Sequence, residues 1–63
     1  MSTYAEIIAE TRERRKLSQY RLAELSGISR RQINSLERGK HQPRLSTLVQ
    51  LAKALRLDLR ELL

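Results

Sequence analysis

Apolar and small residues recur along the chain with the spacing of short amphipathic helices. Tyr4, Ile7, Ile8 and Thr11 fall at i, i+3, i+4 and i+7, with Glu6, Glu10, Glu13, Arg14 and Arg15 on the other faces, which predicts a first helix over about residues 4–16. Ser18 follows Leu17 and is a good N-cap, because its hydroxyl can accept a bond from an unpaired backbone N–H of the next turn. A second helix over 19–26 would then bury Leu22, Ala23 and Leu25, and Gly27 is placed to take the left-handed conformation that ends it. Ser29 can cap a third helix over 30–38, with Gln32 three residues on as in a capping box, Ile33 and Leu36 as core residues and Gly39 as the stop. A basic loop with Pro43 follows, and apolar periodicity resumes at Leu45, Leu48, Leu51, Ala52 and Leu55 for a helix over 45–55. Asp58 and Glu61 offer another capping box, opening a short final helix over 59–62. Nothing alternates with period two. The expected fold class is therefore all-α, a compact five-helix arrangement filling a single domain over 1–63.

Composition narrows the picture. A chain of 63 residues buries only about 60% of the surface its unfolded form exposes, so its stability is expected to be marginal. There is no cysteine to staple it and no metal-ligand cluster, and no cofactor or small-molecule site is evident. Association with a second copy is the remaining way to bury more apolar surface. No apolar run approaches the roughly 20 residues a membrane span needs, and the start lacks the features of a signal peptide, so a cytoplasmic, nucleoid-associated protein is expected. The balance of 13 Lys+Arg against 7 Asp+Glu, +6 at pH 7, makes polyanions natural partners.

The third helix concentrates that charge. At ~100° per residue, with the core direction midway between Ile33 and Leu36, Arg31, Ser35 and Arg38 point outward, with Arg30 and Asn34 on the shoulders. This face carries no carboxylate, whereas an ordinary solvated helix mixes signs and gains from i, i+4 ion pairs. Arginine can donate twice to guanine, and glutamine or asparagine can pair with adenine. The alternative is a merely wet face. Helix, glycine-containing turn and helix is the helix-turn-helix layout, in which the second helix enters the major groove. In that layout Gln19, at the N-terminus of the second helix, sits where backbone N–H groups point outward, a natural phosphate site.

These residues resemble the lambda-repressor/Cro-like helix-turn-helix domains, also called the XRE family. The resemblance is carried by Leu17-Ser18-Gln19, Leu22-Ala23, Gly27-Ile28-Ser29-Arg30, Ile33, Leu36-Glu37-Arg38-Gly39-Lys40, Pro43 and the run from Leu48 to Leu55. By position it implies a base-contacting set of Gln19, Ser29, Arg30, Arg31, Gln32 and Ser35, with Gln19 either contacting DNA or bracing Arg30. Ser18, Arg38, Lys40, His41 and Arg44 are expected on phosphates, and Arg12 with Glu37 as a partly buried ion pair between the first and third helices. Three residues depart from the pattern. Thr11 stands for the usual leucine, Arg21 for a capping glutamate, and Arg56 for a frequent glycine, which leaves the left-handed close of the fourth helix in doubt.

The expected function is sequence-specific binding of double-stranded DNA by a transcriptional regulator, a repressor, acting as a homodimer on a near-palindromic operator. The C-terminal leucines Leu59, Leu62 and Leu63 are the expected dimer contact. The rival from another class is a protein-interaction module, such as an antitoxin-like partner. An enzyme would need a nucleophile-base or carboxylate constellation, and the chain offers none.

Overall fold

The computed structural model describes residues 3–40 and 42–63. Four α-helices follow one another: α1 (Tyr4–Arg14), α2 (Gln19–Ser26), α3 (Arg30–Glu37) and α4 (Leu45–Leu55). The expectation of five helices is corrected here, because Leu59–Leu62 forms one turn of 3₁₀ helix. Its backbone bonds run from Glu61 N to Asp58 O and from Leu63 N to Arg60 O, the i to i+3 pattern, and four residues are too few to settle into α geometry.

Side-chain caps set the starts of every element except α4, whose N-cap Arg44 makes no side-chain bond. The Ser18 hydroxyl accepts from the backbone N–H of Arg21, and that of Ser29 from the N–H of Gln32. Neither is a full box: with Arg21 three residues after Ser18 no carboxylate reaches back, and Gln32 makes no return bond to Ser29. Reciprocal boxes form at Thr3 with Glu6 and at Asp58 with Glu61.

Left-handed residues set the ends. Gly27 (φ 77°) closes α2 and Gly39 (φ 68°) follows α3, but Lys16 (φ 58°) and Arg56 (φ 56°) take the same conformation. Around Lys16 the N–H of Leu17 bonds back to Arg12 O, which stops α1 at Arg14 rather than at residue 16. Around Arg56 the N–H of Leu57 bonds to Ala52 O at 2.8 Å, so the left-handed close of α4 survives without glycine.

Six side chains are fully buried: Ile8, Leu22, Ile33, Leu36, Leu51 and Leu55. Leu48, Ala52 and Leu62 complete their cluster, so every element contributes to one aliphatic core. Thr11 is buried as well, and its hydroxyl accepts from the Arg14 guanidinium at 3.3 Å. Helix α2 packs on α3 and α4, while α1 packs on α3, α4 and the 3₁₀ turn. Burying Ile33 and Leu36 pins α3 by one side and leaves its opposite side at the surface.

Candidate nucleic-acid interface

The start of α2 and the outward side of α3 enclose a hollow of about 280 Å³ lined by Gln19, Arg30, Arg31, Asn34 and Ser35. Of the base-contacting residues expected from the sequence, Gln19, Arg30, Arg31 and Ser35 meet there. Ser29 lies beside it, in a second and more apolar hollow with Tyr20, Gly27 and Ile28. Gln32 is half-buried and lines neither. Ser35 is half-buried too, less outward than its helical angle suggests.

Arg30 and Arg31 are exposed, and among the described residues neither guanidinium has an ion-pair or hydrogen-bond partner. The one carboxylate of α3 is turned the other way. Glu37 Oε2 accepts from Arg12 Nε at 2.7 Å and its Oε1 from Arg12 Nη2 at 3.0 Å, with the two side chains 14% and 8% exposed. The hydrogen bond that Arg12 donates to Glu37 raises the Arg12 pKa, outweighing the opposing effect of burial, so this guanidinium stays charged. Arg12 Nη1 also donates to Leu17 O at 2.8 Å, which ties the turn before α2 to the same point. With Glu37 occupied, the potential over the hollow is set by unpaired arginines.

Gln19 bonds to neither arginine of the hollow, so bracing Arg30, one of the two roles implied for it, is not what it does here. Its Nε2 donates to Glu37 Oε1 at 3.1 Å and its Oε1 accepts from Asn34 Nδ2 at 3.3 Å, so its partners are Glu37 and Asn34 rather than Arg30. Asn34 is not among the site residues expected from the sequence. Its signal in the sequence was only its shoulder position on the helix, and the link to Gln19 depends on the angle between α2 and α3.

Among the described residues, none of those expected on phosphates lines the hollow. Ser18 is exposed, with its hydroxyl engaged as the cap of α2; Arg38 and Lys40 are exposed after α3; Arg44 is exposed at the start of α4. His41 lies outside the described residues. In the final turn Leu62 is 5% exposed and belongs to the protomer's own core, Leu59 packs partly against it, and Leu63 is 77% exposed. Leu62 is therefore not free for the expected partner contact. Among the described residues no group of His, Asp or Glu could hold a metal ion, and no helix is long and apolar enough to cross a membrane.

Two short helices joined at a left-handed glycine, the second held by its core side and presenting arginines outward, define a helix-turn-helix domain. The chain belongs to the helix-turn-helix family HTH_3, whose model matches residues 8–62. It is 46% identical over 59 residues to the control protein C.SmaI of Serratia marcescens, covering 94% of this chain and 70% of that protein. It is 43% identical over 54 residues to the HTH-type transcriptional regulator PuuR of Escherichia coli, but spans only 29% of that longer protein. Among solved structures, the P22 c2 repressor in complex with a synthetic operator superposes with a TM-score of 0.91 at 30% identity, covering all of this chain and 96% of that one.

Proposed function

We propose that the protein is a sequence-specific double-stranded DNA-binding transcriptional regulator, a repressor that places α3 in the major groove of an operator half-site. The observation that carries this reading is the hollow of Gln19, Arg30, Arg31, Asn34 and Ser35, rimmed by unpaired arginines while Glu37 is held by Arg12. Like charges left together on a small domain repel one another, and an incoming polyanion relieves that repulsion while releasing its counterions. Arg30 and Arg31 have the donor geometry for guanine, Gln19 that for adenine, and Ser29, Gln32 and Ser35 flank them. Arg38, Lys40 and Arg44, with Ser18 at the start of α2, hold the phosphates and fix position rather than sequence. The relatives' names support regulation of transcription, and the repressor-operator complex supports the repressor role.

The reading includes a homodimer on a near-palindromic site. The domain is 25 Å in its longest dimension, whereas half-site centres stand about 34 Å apart, so one copy reads one half-site. Of the C-terminal leucines, Leu63 and the exposed side of Leu59 are left for that pairing. The chain folds as a single domain and acts in the cytoplasm, on the nucleoid, without a cofactor.

Selection of binding sites from random duplexes, followed by affinity measurements over a salt series, tests this. Enrichment of paired half-sites and a linear fall of log affinity with log salt are expected. Absence of duplex binding, or an affinity indifferent to salt, would favour a protein-docking module of the same fold.

A further inference from the structure

The carboxylate of Glu37 imposes a direction on the polar side chains that lead out to the hollow. An ionised carboxylate only accepts hydrogen bonds, so the Gln19 atom 3.1 Å from Glu37 Oε1 is the amide nitrogen. The Gln19 carbonyl oxygen is thereby turned to Asn34, and the atom that meets it at 3.3 Å is the Asn34 amide nitrogen. From Glu37 to Gln19 to Asn34 each group accepts from the next, and neither amide can turn over without facing donor to donor or acceptor to acceptor. Two hydrogen-bonding places on Gln19 stay open, the second Nε2–H and the second lone pair of Oε1, and Gln19 lines the hollow.

We propose that Asn34 is a positioning residue for base reading, which fixes the Gln19 amide so that it offers a donor and an acceptor in one set order. This inference rests on the DNA-binding reading above. A donor beside an acceptor matches adenine, which presents an N7 acceptor and an N6 donor in the major groove. Guanine presents acceptors at both N7 and O6, so the held Gln19 carbonyl would face O6 without a proton between them. Asn34 thus raises discrimination of adenine over guanine at the base pair that Gln19 reads, while Glu37 anchors the amide from the protein side. Asn34 is exposed and contributes nothing to the core, which separates this role from folding.

The experiment is site selection from random duplexes with the wild-type chain, Asn34→Ala, Asn34→Asp and Gln19→Ala, with a thermal melt of each. Gln19→Ala locates the base pair. At that pair Asn34→Ala is expected to lower the adenine-over-guanine ratio about tenfold, with an unchanged melting midpoint. Asn34→Asp keeps the shape and removes the donor, so the ratio falls likewise; its added charge weakens all duplexes equally and leaves the ratio as the readout. Adding Asn34→Ala to Gln19→Ala should cost nothing further at this pair. An unchanged ratio in both Asn34 variants, a change at a different base pair, or a wild-type preference there for a base other than adenine overturns the proposal while leaving the DNA-binding reading intact. A wild-type chain that selects no sequence overturns both.

Discussion

Arg12 and Glu37, 25 residues apart in the chain, meet through two parallel hydrogen bonds of 2.7 and 3.0 Å and join α1 to the far end of α3. The same guanidinium holds the Leu17 carbonyl, and the same carboxylate receives Gln19, so one ion pair fixes α1, the turn after it, the start of α2 and the last turn of α3. A pair this shielded is strongly destabilising to break on one side, since the surviving charge stays where water reaches it poorly. Arg12→Ala should therefore lower the unfolding free energy by about 3 kcal/mol. The double replacement Arg12→Met with Glu37→Leu should cost less than Arg12→Ala or Glu37→Ala alone. Urea denaturation of the three variants decides it; a loss below about 1 kcal/mol for Arg12→Ala would place the pair among solvent-screened surface bridges.

Base reading and phosphate holding separate under mutation. Arg31 is exposed on the rim of the hollow and unpaired among the described residues, whereas Lys40 stands just beyond the end of α3, its backbone N–H bonded to Ser35 O. Arg31→Ala is expected to lose about 1–3 kcal/mol on a selected operator and to relax preference at one base pair. Lys40→Ala should weaken every duplex alike and flatten the salt slope by about one unit. Anisotropy titrations on cognate and random duplexes at several salt concentrations read both. Equal losses on the two duplexes for Arg31→Ala would remove it from the base-reading set.

The extent to which these features are legible in the sequence follows their physical range. Ser18, Gly27 and Ser29 act on their own neighbours, so the α2–turn–α3 unit can be written down from local chemistry. The outward direction of Arg31 likewise needs only the helical angle set by Ile33 and Leu36. The Gln19–Asn34 bond needs the crossing of two helices, and no residue type announces it. Leu62 reads as a dimer contact because nothing local shows that α1 and α4 leave room for it in the core. The final turn carries a full capping box and yet stays 3₁₀, because a cap satisfies the first N–H groups without supplying the residues an α-helix needs to continue.

Arg56 is the second place where residue type misleads. Its φ of 56° and ψ of 39° are left-handed, a conformation that costs a side-chain-bearing residue roughly 1–2 kcal/mol. The position is held because Arg56 N and Leu57 N both bond back into α4, to Lys53 O and Ala52 O. Glycine takes this conformation without the steric cost but loses more freedom on folding, which returns about 0.5–1 kcal/mol of the gain. Arg56→Gly should therefore stabilise the domain by about 0.5–1 kcal/mol, raising the thermal midpoint, with DNA affinity little changed. A lower midpoint would mean that the Arg56 side chain contributes more than its backbone costs.

Asp58 ties the final turn to pH. Its Oδ2 accepts from Arg60 Nη2 at 2.7 Å, and its Oδ1 from the Arg60 backbone N–H at 2.9 Å and from Nε at 3.1 Å. The side-chain bond from Arg60 is the main reason its pKa lies below the ordinary carboxylate value, and the backbone bond adds to it. A depressed pKa means that the unfolded chain takes up the proton first as pH falls, so the cap's contribution is complete above the ordinary Asp pKa of about 3.9. It is then lost as pH drops through the lower, folded value, while Arg60, whose own pKa is raised by Asp58, stays charged throughout. Because the pair is solvent-exposed, added salt should shrink the shift. An NMR titration is expected to show the Asp58 carboxyl titrating below its ordinary value, with the Leu62 methyl signals moving over the same range as the cap fails and the turn loosens from α1 and α4. In Arg60→Ala the Asp58 pKa should return most of the way to its ordinary value at unchanged fold. If it stays low, the backbone cap rather than the guanidinium holds the charge, and the salt dependence should vanish with it.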